Sequence, residues 1–397
     1  MQNSNDEPQR AMDPFRVLVV DDSAVIRGLI SRWLEEDPTI AVVATASNGQ
    51  MALNSLVSSD AEVVVLDIEM PVMDGLTALP RMLREVPDIQ ILMASTLTNR
   101  NAEISMKALG LGAADYVPKP ETNKEVTGNS AFRREIVDKV RALAGARRQQ
   151  RKETMPSLGR PAQTSAAPAA APKDGSLRTT SLHLFTQVEG ATNEIRLRSA
   201  SKTKPAVLSI GSSTGGPQAL VAFFSGAKHF LSGLPVLVTQ HMPPAFTSIL
   251  ASHIGKASGM DAHEAVDGER LKPGVIYIAP GDYHMTVREE LGTVRIRLNQ
   301  DAPENFCRPA ADPMLRSLSE VFGNRALTVI LTGMGHDGLA GSKAIIEAGG
   351  TVVAQDEASS VVWGMPGSVA VAGVCSAVLP LNDLGPTVGR FIMGGQL

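Results

Sequence analysis

The stretch RVLVVDDSAVIR (16–27) shows the pattern on which the N-terminal half of the chain is built. A short apolar run suited to a buried strand is followed at once by two carboxylates and then by residues with helical spacing. Near-continuous aliphatic strands of this kind are typical of parallel sheets covered by helices on both faces. The stretch therefore predicts the first unit of an α/β fold.

The same alternation of apolar run and amphipathic segment continues to about residue 144. The further predicted strands are IAVVATA (40–46), VVVLD (63–67), IQILMAS (89–95) and ADYVPKP (114–120). Helical crossovers between such strands produce a doubly wound sheet. We predict a flavodoxin-like domain with five parallel strands over residues 15–145.

After this domain the composition becomes rich in Pro, Ala and small polar residues, and after residue 204 the alternation of apolar runs and helical segments resumes. Residues 146–203 include GRPAQTSAAPAAAPKDG (159–175), which buries little apolar surface and predicts a flexible, solvated linker. Residues 204–397 predict a second α/β domain with a mainly parallel sheet, and HMTVREELGTVRIRLN (284–299) predicts an inserted hairpin. Its predicted strands are AVLSIG (206–211), LPVLVTQH (234–241), GVIYIAPG (274–281), ALTVILTG (326–333) and TVVAQD (351–356).

Overall composition limits the class of protein. With 397 residues, 43% hydrophobic residues and a net charge of −4, the chain is globular and lacks the basic excess typical of nucleic-acid binding. No stretch reaches the roughly 20 apolar residues of a spanning helix, and the polar N-terminal stretch does not resemble a signal peptide. Cys307 and Cys375 form no metal-binding pattern and suit a reducing compartment. We expect a cytoplasmic protein with no direct membrane insertion, whose cysteines are core residues or free thiols.

Polar side chains stand at the carboxyl ends of the first domain's strands, where open parallel sheets bind ligands. Asp21 and Asp22 follow the first strand and Asp67 ends the third. Converging carboxylates favour a bound cation, and oxygen ligands of this kind suit Mg²⁺. Ser95 and Lys119 end the next two strands, so one carboxylate could accept a phosphoryl group there. Helix capping explains a single residue such as Asp22 equally well, but not the whole set.

The loop GSSTGGP (211–217) follows the first strand of the second domain. Ser213 between Gly211 and Gly215 satisfies G-x-S-x-G, a turn that exposes a nucleophilic serine. An ordinary turn is the competing interpretation, and a phosphate loop is disfavoured because G-x-G-x-x-G spacing and a P-loop lysine are absent. Ser212 is then a neighbour that shapes the turn.

A serine nucleophile needs a histidine and a carboxylate within reach. His241 ends a predicted strand at the same sheet edge, and Asp337 follows another in TGMGHDG (332–338). His336 is a rival base, and an N-cap is a rival role for Asp337. Amides near Gly333, Met334 and Gly335 could bind an oxyanion. The order Ser, His, acid disfavours the α/β-hydrolase fold.

The motifs VVDDSAVIR, LDIEMPVMDGL and DYVPKP resemble the receiver domain of two-component response regulators. The resemblance implies a phospho-acceptor, a Mg²⁺ site completed by the backbone carbonyl of Glu69, and a histidine kinase as phosphodonor. It assigns the acceptor role to Asp67, the acidic metal-site roles to Asp21 and Asp22, the switch hydroxyl to Ser95, the phosphate-contacting lysine to Lys119, and the reorienting aromatic to Tyr116.

The second domain carries GSSTGGPQAL, VTQHMPPAFT, YIAPGDYHM, CRPAADPM, TGMGHDG and AQDEASSVVWGMPGSV, and it resembles the catalytic domain of CheB-family chemotaxis methylesterases. The resemblance implies Ser213 as nucleophile, His241 as base and Asp337 as its orienting acid, with the Met334 amide and the Thr214 region assisting the oxyanion. It further implies methylated chemoreceptor cytoplasmic domains as substrate, deamidation of receptor glutamines, no cofactor for the esterase, and an unphosphorylated receiver packed over the cleft.

Two other classes of output remain open at this level. A DNA-binding output would need a helix-turn-helix and a basic face after the linker, and neither is evident. A catalytically silent adaptor that only binds receptors differs from the esterase in releasing no methanol from methylated receptor.

Overall fold

Every strand of the two main sheets pairs in parallel with its neighbours in the computed structural model, which describes residues 13–96, 98–119, 130–154, 185–188 and 191–397. Parallel strands need crossover connections, and helices on both faces supply them. Both α/β domains expected from the sequence are confirmed.

The first sheet has the strand order β2-β1-β3-β4-β5. Its strands are β1 (Phe15–Val20), β2 (Ile40–Ala46), β3 (Val63–Asp67), β4 (Gln90–Thr96) and β5 (Asp115–Lys119), and its helices are α1 (Ala24–Glu35), α2 (Gly49–Ser59), α3 (Gly75–Glu85), α4 (Asn99–Gly110) and α5 (Ser130–Thr154). Every side chain of β3 is buried because this central strand is covered on both faces. The doubly wound topology brings the polar ends of β1, β3, β4 and β5 to one edge.

The second sheet has seven strands in the order β10-β11-β9-β8-β14-β15-β16, and a separate antiparallel hairpin, β12–β13, matches the predicted insertion. The strands after the first domain are β6 (Phe185–Val188), β7 (Ala191–Glu194), β8 (Val207–Ser212), β9 (Val236–Gln240), β10 (Asp261–Glu264), β11 (Val275–Ile278), β12 (His284–Glu290), β13 (Thr293–Asn299), β14 (Ala326–Ile330), β15 (Thr351–Gln355) and β16 (Ala377–Leu379). The helices are α6 (Gly216–Ala227), α7 (Phe246–Ser258), α8 (Ala311–Phe322), α9 (Leu339–Glu347), α10 (Met365–Val371) and α11 (Leu381–Ile392). Two edge strands were not predicted, since β10 is mostly polar and β16 has only three residues.

The structure describes both ends of the predicted linker, residues 146–203. Helix α5 continues to Thr154, and residues from Ile195 onward lie against the second domain, where the Arg198 amide donates to the Cys375 carbonyl at 2.8 Å. Residues 155–184, which hold the predicted linker composition, lie outside the described residues. None of the helices in the described ranges has the length and apolar character required to cross a bilayer.

The extension of α5 is held by ion pairs to the receiver-like sheet. The buried guanidinium of Arg147 donates to both carboxylate oxygens of Asp88 at 3.0 Å and to the Ala61 carbonyl at 2.8 Å. Arg148 contacts Glu62 at 2.5 and 2.7 Å. These partners are distant in sequence, so the contacts are tertiary. They hold the polar C-terminal part of α5 against the first domain.

Replacing Arg147 by Ala is expected to destabilise the first domain by about 2–3 kcal/mol, because it removes charge-assisted hydrogen bonds and the buried stem. Trp33 packs edge-on against Phe132 of α5, with ring centroids 5.8 Å apart, so its fluorescence reports on this helix. Denaturant unfolding in a Trp363→Phe background measures the effect. Arg81→Ala, an exposed control on α3, should change stability by less than about 0.5 kcal/mol. Equal stability of the two variants would contradict the anchoring role.

Candidate functional site

Three carboxylates meet at the carboxyl edge of the first sheet. Ligand atoms of Asp21, Asp22 and Asp67 all lie within 4.8 Å of one another. The Lys119 ammonium is 2.6 Å from Asp67 Oδ1 and 3.2 Å from Asp21 Oδ2. The strand-end residues predicted from sequence are therefore brought into one cluster.

Charge in this cluster is incompletely balanced by the lysine. Burial raises the pKa of the Asp67 carboxyl to about 6, although Lys119 acts against this rise, and the neighbouring Asp21 adds to it. Three carboxylates facing one ammonium leave room for a further cation, and oxygen ligands of this type fit Mg²⁺. Asp22 is exposed and does not cap α1, because the Ser23 side chain accepts the Ile26 amide there. Glu69 is exposed two residues after β3.

The two predicted switch residues point away from this cluster toward other helices. The buried Ser95 hydroxyl hydrogen bonds to that of Ser105 on α4 at 2.8 Å. The buried Tyr116 ring stacks on Phe246 of the second domain, with centroids 4.4 Å apart and planes 7° from parallel. Phe246 begins α7, five residues after His241. The candidate switch is thus in contact with the first residue of the helix that follows the candidate base.

Further contacts join the same side of the first domain to the second. The Gln218 amide on α6 donates to the carbonyls of Ala113 and Leu109 at 2.7 and 3.3 Å. The Arg134 guanidinium on α5 lies 4.8 Å from the centroid of the Phe306 ring. Val362 of the second domain belongs to a hydrophobic core built mainly from the first, and Met334 packs against that core. The first domain therefore covers loops beside GSSTGGP and TGMGHDG.

The GSSTGGP loop makes a sharp turn between β8 and α6. Gly215 has a φ of 74°, and a Cβ there would lie 2.6 Å from Val361, so both conformation and space require glycine. The Ser213 amide donates to the Thr332 carbonyl at 3.1 Å. The Ser212 hydroxyl donates to Gln240 Oε1 at 2.7 Å, which gives this neighbour a structural role.

His241 and Asp337 are in direct contact. The His241 Nε2 is 2.7 Å from Asp337 Oδ2, and the His241 amide donates to the Ser212 carbonyl at 3.2 Å. The latter bond joins the strand end that carries the histidine to the strand end that carries Ser213. With Nε2 used by Asp337, the other ring nitrogen, Nδ1, is the one left to act on a substrate or nucleophile.

Asp337 is buried among donors from a different helix. It does not cap α9, which begins after Gly338 without a side-chain cap. Its oxygens instead accept the amides of Ala311 at 2.6 Å and Asp312 at 3.1 Å, at the start of α8. Burial acts to raise the pKa of this carboxyl, but the hydrogen bond and charge of His241 and these two amides lower it to about 2. Asp337 is therefore ionised at neutral pH.

Cys307 is a site residue that the sequence did not indicate. Burial acts to lower the pKa of the His241 imidazole, but the charge of the Cys307 sulfur and the contact with Asp337 outweigh it, so the pKa is raised. Cys307 is free and partly buried, whereas Cys375 is a core residue as expected. His336, the rival base, is exposed, and the hydrogen bond to Asp337 is made by His241. No sequence spacing links Cys307 to His241, because the contact is tertiary.

The groups predicted to bind an oxyanion differ in whether they already have a hydrogen-bond partner. The Gly333 amide donates to the Val362 carbonyl at 3.0 Å and is not free for an oxyanion. In the described ranges the Met334 amide has no such partner. The Thr214 hydroxyl is buried and likewise lacks a hydrogen-bond partner within the described residues, while the Thr214 carbonyl accepts from Thr332 Oγ1 at 2.9 Å.

Comparisons with known proteins identify both domains. The response regulator receiver domain model matches residues 17–129, and the CheB methylesterase model matches residues 208–388. The chain is 54% identical to protein-glutamate methylesterase/protein-glutamine glutaminase 1 of Rhodospirillum rubrum, over 95% of each chain. It is 53% identical to the protein-glutamate methylesterase/protein-glutamine glutaminase of Azospirillum brasilense, over 96% of this chain and 93% of that one. The catalytic domain of Thermotoga maritima CheB methylesterase is 39% identical, covering 48% of this chain and all of the solved chain, with a TM-score of 0.46.

A chain with these two parts is a response regulator whose output domain is an enzyme. It belongs to the CheB methylesterase family, which the sequence motifs resemble.

We expect the His241 imidazole to titrate above the usual histidine range. In the Cys307→Ala variant the His241 pKa should be lower, because the interaction with the Cys307 sulfur that favours imidazolium is lost. NMR titration of histidine-labelled protein, with the His241 signal assigned from His241→Gln, measures both. The matched Cys375→Ala control should leave the His241 pKa unchanged. An unaltered pKa in Cys307→Ala would contradict the contact.

Proposed function

We propose that this phosphorylation-regulated protein-glutamate methylesterase and protein-glutamine glutaminase uses Ser213 as nucleophile, His241 as general base and Asp337 as its orienting acid. The hydrogen bond between His241 and the buried Asp337 carboxylate, with the His241 backbone bonded to the strand end that carries Ser213, supports this assignment most directly. A histidine held by an ionised carboxylate has a fixed tautomer and a stabilised imidazolium form.

The proposed reaction is acyl transfer at the γ-carbonyl of a methylated receptor glutamate. Ser213 Oγ attacks the carbonyl carbon while its proton passes to Nδ1 of His241, because Nε2 is bonded to Asp337. The tetrahedral intermediate expels methanol, which takes its oxygen-bound proton from His241, and leaves a seryl ester. Water activated by His241 then hydrolyses this ester to glutamate. With glutamine as substrate, ammonia leaves in place of methanol.

We assign the oxyanion site to the Met334 amide and the Thr214 region. Both flank the Ser213 turn, and the buried Thr214 hydroxyl is a donor without a partner among the described residues. Donors aimed at a developing oxyanion stabilise the transition state more than the substrate. One such donor is worth about 3–4 kcal/mol in serine hydrolases.

We propose Asp67 as phospho-acceptor, with Lys119 contacting the phosphoryl group. Asp21, Asp22, Asp67 and the Glu69 carbonyl would hold Mg²⁺, which offsets the negative charge of the acceptor and the incoming phosphoryl group. The phosphodonor is a histidine kinase, the substrate is the cytoplasmic domain of a methylated chemoreceptor, and we place the reaction in the cytoplasm. The esterase half uses no cofactor in this scheme.

Regulation follows from the contacts between the domains. Phosphorylation that draws Ser95 toward Asp67 would change its bond to Ser105 on α4, and Tyr116 is stacked on α7. A shift of these groups would weaken the packing of the first domain against Met334 and Val362. Because 1.4 kcal/mol is a tenfold change in population, loss of a few contacts is sufficient to open the cleft.

Replacing Ser213 by Ala is expected to lower methanol release from methylated receptor by at least about 10³-fold, because the nucleophile is lost. Release of radiolabelled methanol and of ammonia measures the two activities. Ser212→Ala, the neighbouring control whose hydroxyl binds Gln240, should retain activity. Equal rates in wild type and Ser213→Ala would support a silent adaptor instead.

Asp67→Ala is expected to remove stimulation by a small phosphodonor while leaving basal methanol release intact.

Gln218→Ala loses two hydrogen bonds to the receiver and should raise the rate of methanol release by the unphosphorylated protein about five- to thirtyfold. The same increase is expected when Gln218→Ala is combined with Asp67→Ala. Ser225→Ala on the same helix, whose hydroxyl bonds only to its own helix, is the control. Stimulation that persists in Asp67→Ala would refute the acceptor, and a basal rate unchanged by Gln218→Ala would refute the interface.

A further inference from the structure

A second buried carboxylate, Asp312, lies beside the triad acid and has no part in the mechanism above. It is 4% exposed and stands in the first turn of α8. Its Oδ1 accepts the Gly341 amide at 2.6 Å, and its Oδ2 accepts the Asn305 side-chain amide at 3.3 Å. Its own backbone amide donates to Asp337 Oδ1. Two carboxylates are therefore buried side by side.

The Asn305 side chain bridges these carboxylates. Its Nδ2 donates to Asp337 Oδ1 at 3.2 Å as well as to Asp312 Oδ2. A primary amide carries two N–H donors and no net charge, so it can satisfy both anions at once. With the Ala311 amide and His241 on Oδ2, and the Asp312 amide on Oδ1, it completes a set of four donors around Asp337.

The backbone that presents Asn305 is strained. Asn305 and Phe306 have φ values of 52° and 64° in a turn closed by reciprocal backbone bonds between Glu304 and Cys307, at 2.9 and 3.1 Å. A left-handed φ is tolerated by asparagine but costs a bulky residue such as phenylalanine roughly 1–2 kcal/mol. Strain of this kind persists where surrounding contacts enforce it and clusters at functional sites. The turn places Asn305 against Asp337 and Cys307 beside His241.

Charged groups around Asp312 define its electrostatic role. Asp337 faces it from the TGMGHDG loop with His241 behind, and Arg316 on its own helix is bound to Glu304 at 2.5 and 3.0 Å. Burial raises the pKa of the Asp312 carboxyl to about 6, the Gly341 amide lowers it, and the Asp337 charge raises it further. Both Asp312 oxygens accept N–H donors, as those of an ionised carboxylate do, so Asp312 places a second negative charge beside the Asp337 carboxylate.

We propose that Asn305 and Asp312 are positioning residues of the triad: the Asn305 amide fixes the Asp337 carboxylate toward His241, and the Asp312 charge strengthens the base. This proposal rests on the assignment of His241 and Asp337 as catalytic residues. Neither residue touches the reacting atoms in this scheme. Their effects reach the reaction through the orientation of one carboxylate and the proton affinity of one imidazole.

Asn305→Gly tests the amide without disturbing the turn, because glycine adopts the left-handed φ freely. We expect kcat to fall about 10- to 100-fold, the value of one charge-assisted hydrogen bond, with KM nearly unchanged. A kcat within threefold of wild type would overturn the role of Asn305.

Asp312→Asn tests the charge at nearly constant shape. Removing an anion disfavours imidazolium, so the acid limb of the kcat/KM profile and the NMR titration of His241 should both shift to lower pH. The control Asp383→Asn removes an exposed carboxylate in the first turn of α11 and should leave both curves in place. Coincident curves for Asp312→Asn and wild type would overturn the role of Asp312.

The His241 titration separates failure of this proposal from failure of the proposed function. It can be recorded in a Ser213→Ala background, where no turnover is required. A shift in Asp312→Asn there supports the electrostatic link even if Ser213 proves not to be the nucleophile. If Asp312→Asn does not shift the His241 titration while activity still depends on Ser213, the role of Asp312 is contradicted and the proposed function is not.

Discussion

Burial of the ionised Asp337 carboxylate is the constraint around which the catalytic domain is arranged. A carboxylate removed from water is costly unless donors replace the lost hydration. Here the donors come from separate parts of the chain: His241 after β9, the first turn of α8, and the strained turn that carries Asn305. These segments must converge for the charge to be tolerated. The same convergence gives the histidine a fixed orientation.

The second organising feature is the packing of the receiver against the segments that surround Asp337. Tyr116 stacks on the helix that follows His241, and Arg134 lies over Phe306, the residue next to Asn305. The receiver therefore contacts elements that support the proposed catalytic residues, and its core also packs against Met334 and Val362. Tyr116 and Arg134 thus connect the first domain to the segments that carry the triad and its supporting turn.

Much of this architecture could be predicted from local sequence because parallel strands are apolar runs and their polar ends carry function. The features that the sequence did not predict depend on contacts between distant parts of the chain or lack a local pattern. The end of α5 depends on Arg147 reaching Asp88 across the fold, and a polar edge strand such as β10 lacks an apolar run. Cys307 and Asn305 reach the site from a turn rather than a strand end, so no strand-end pattern marks them. The Gly333 amide, which the loop sequence offers to an oxyanion, donates to the Val362 carbonyl, and local sequence does not reveal this tertiary contact.

The central claim is that one serine reacts and that receiver phosphorylation controls access to it. The most direct measurement is the rate and site of labelling of the full chain by a serine-directed fluorophosphonate, with and without a small phosphodonor, followed by peptide mass spectrometry. We expect an adduct on Ser213 that forms faster with phosphodonor in wild type and at the same rate with and without phosphodonor in Asp67→Ala. Labelling at another residue, or an equal rate with and without phosphodonor in wild type, would contradict it.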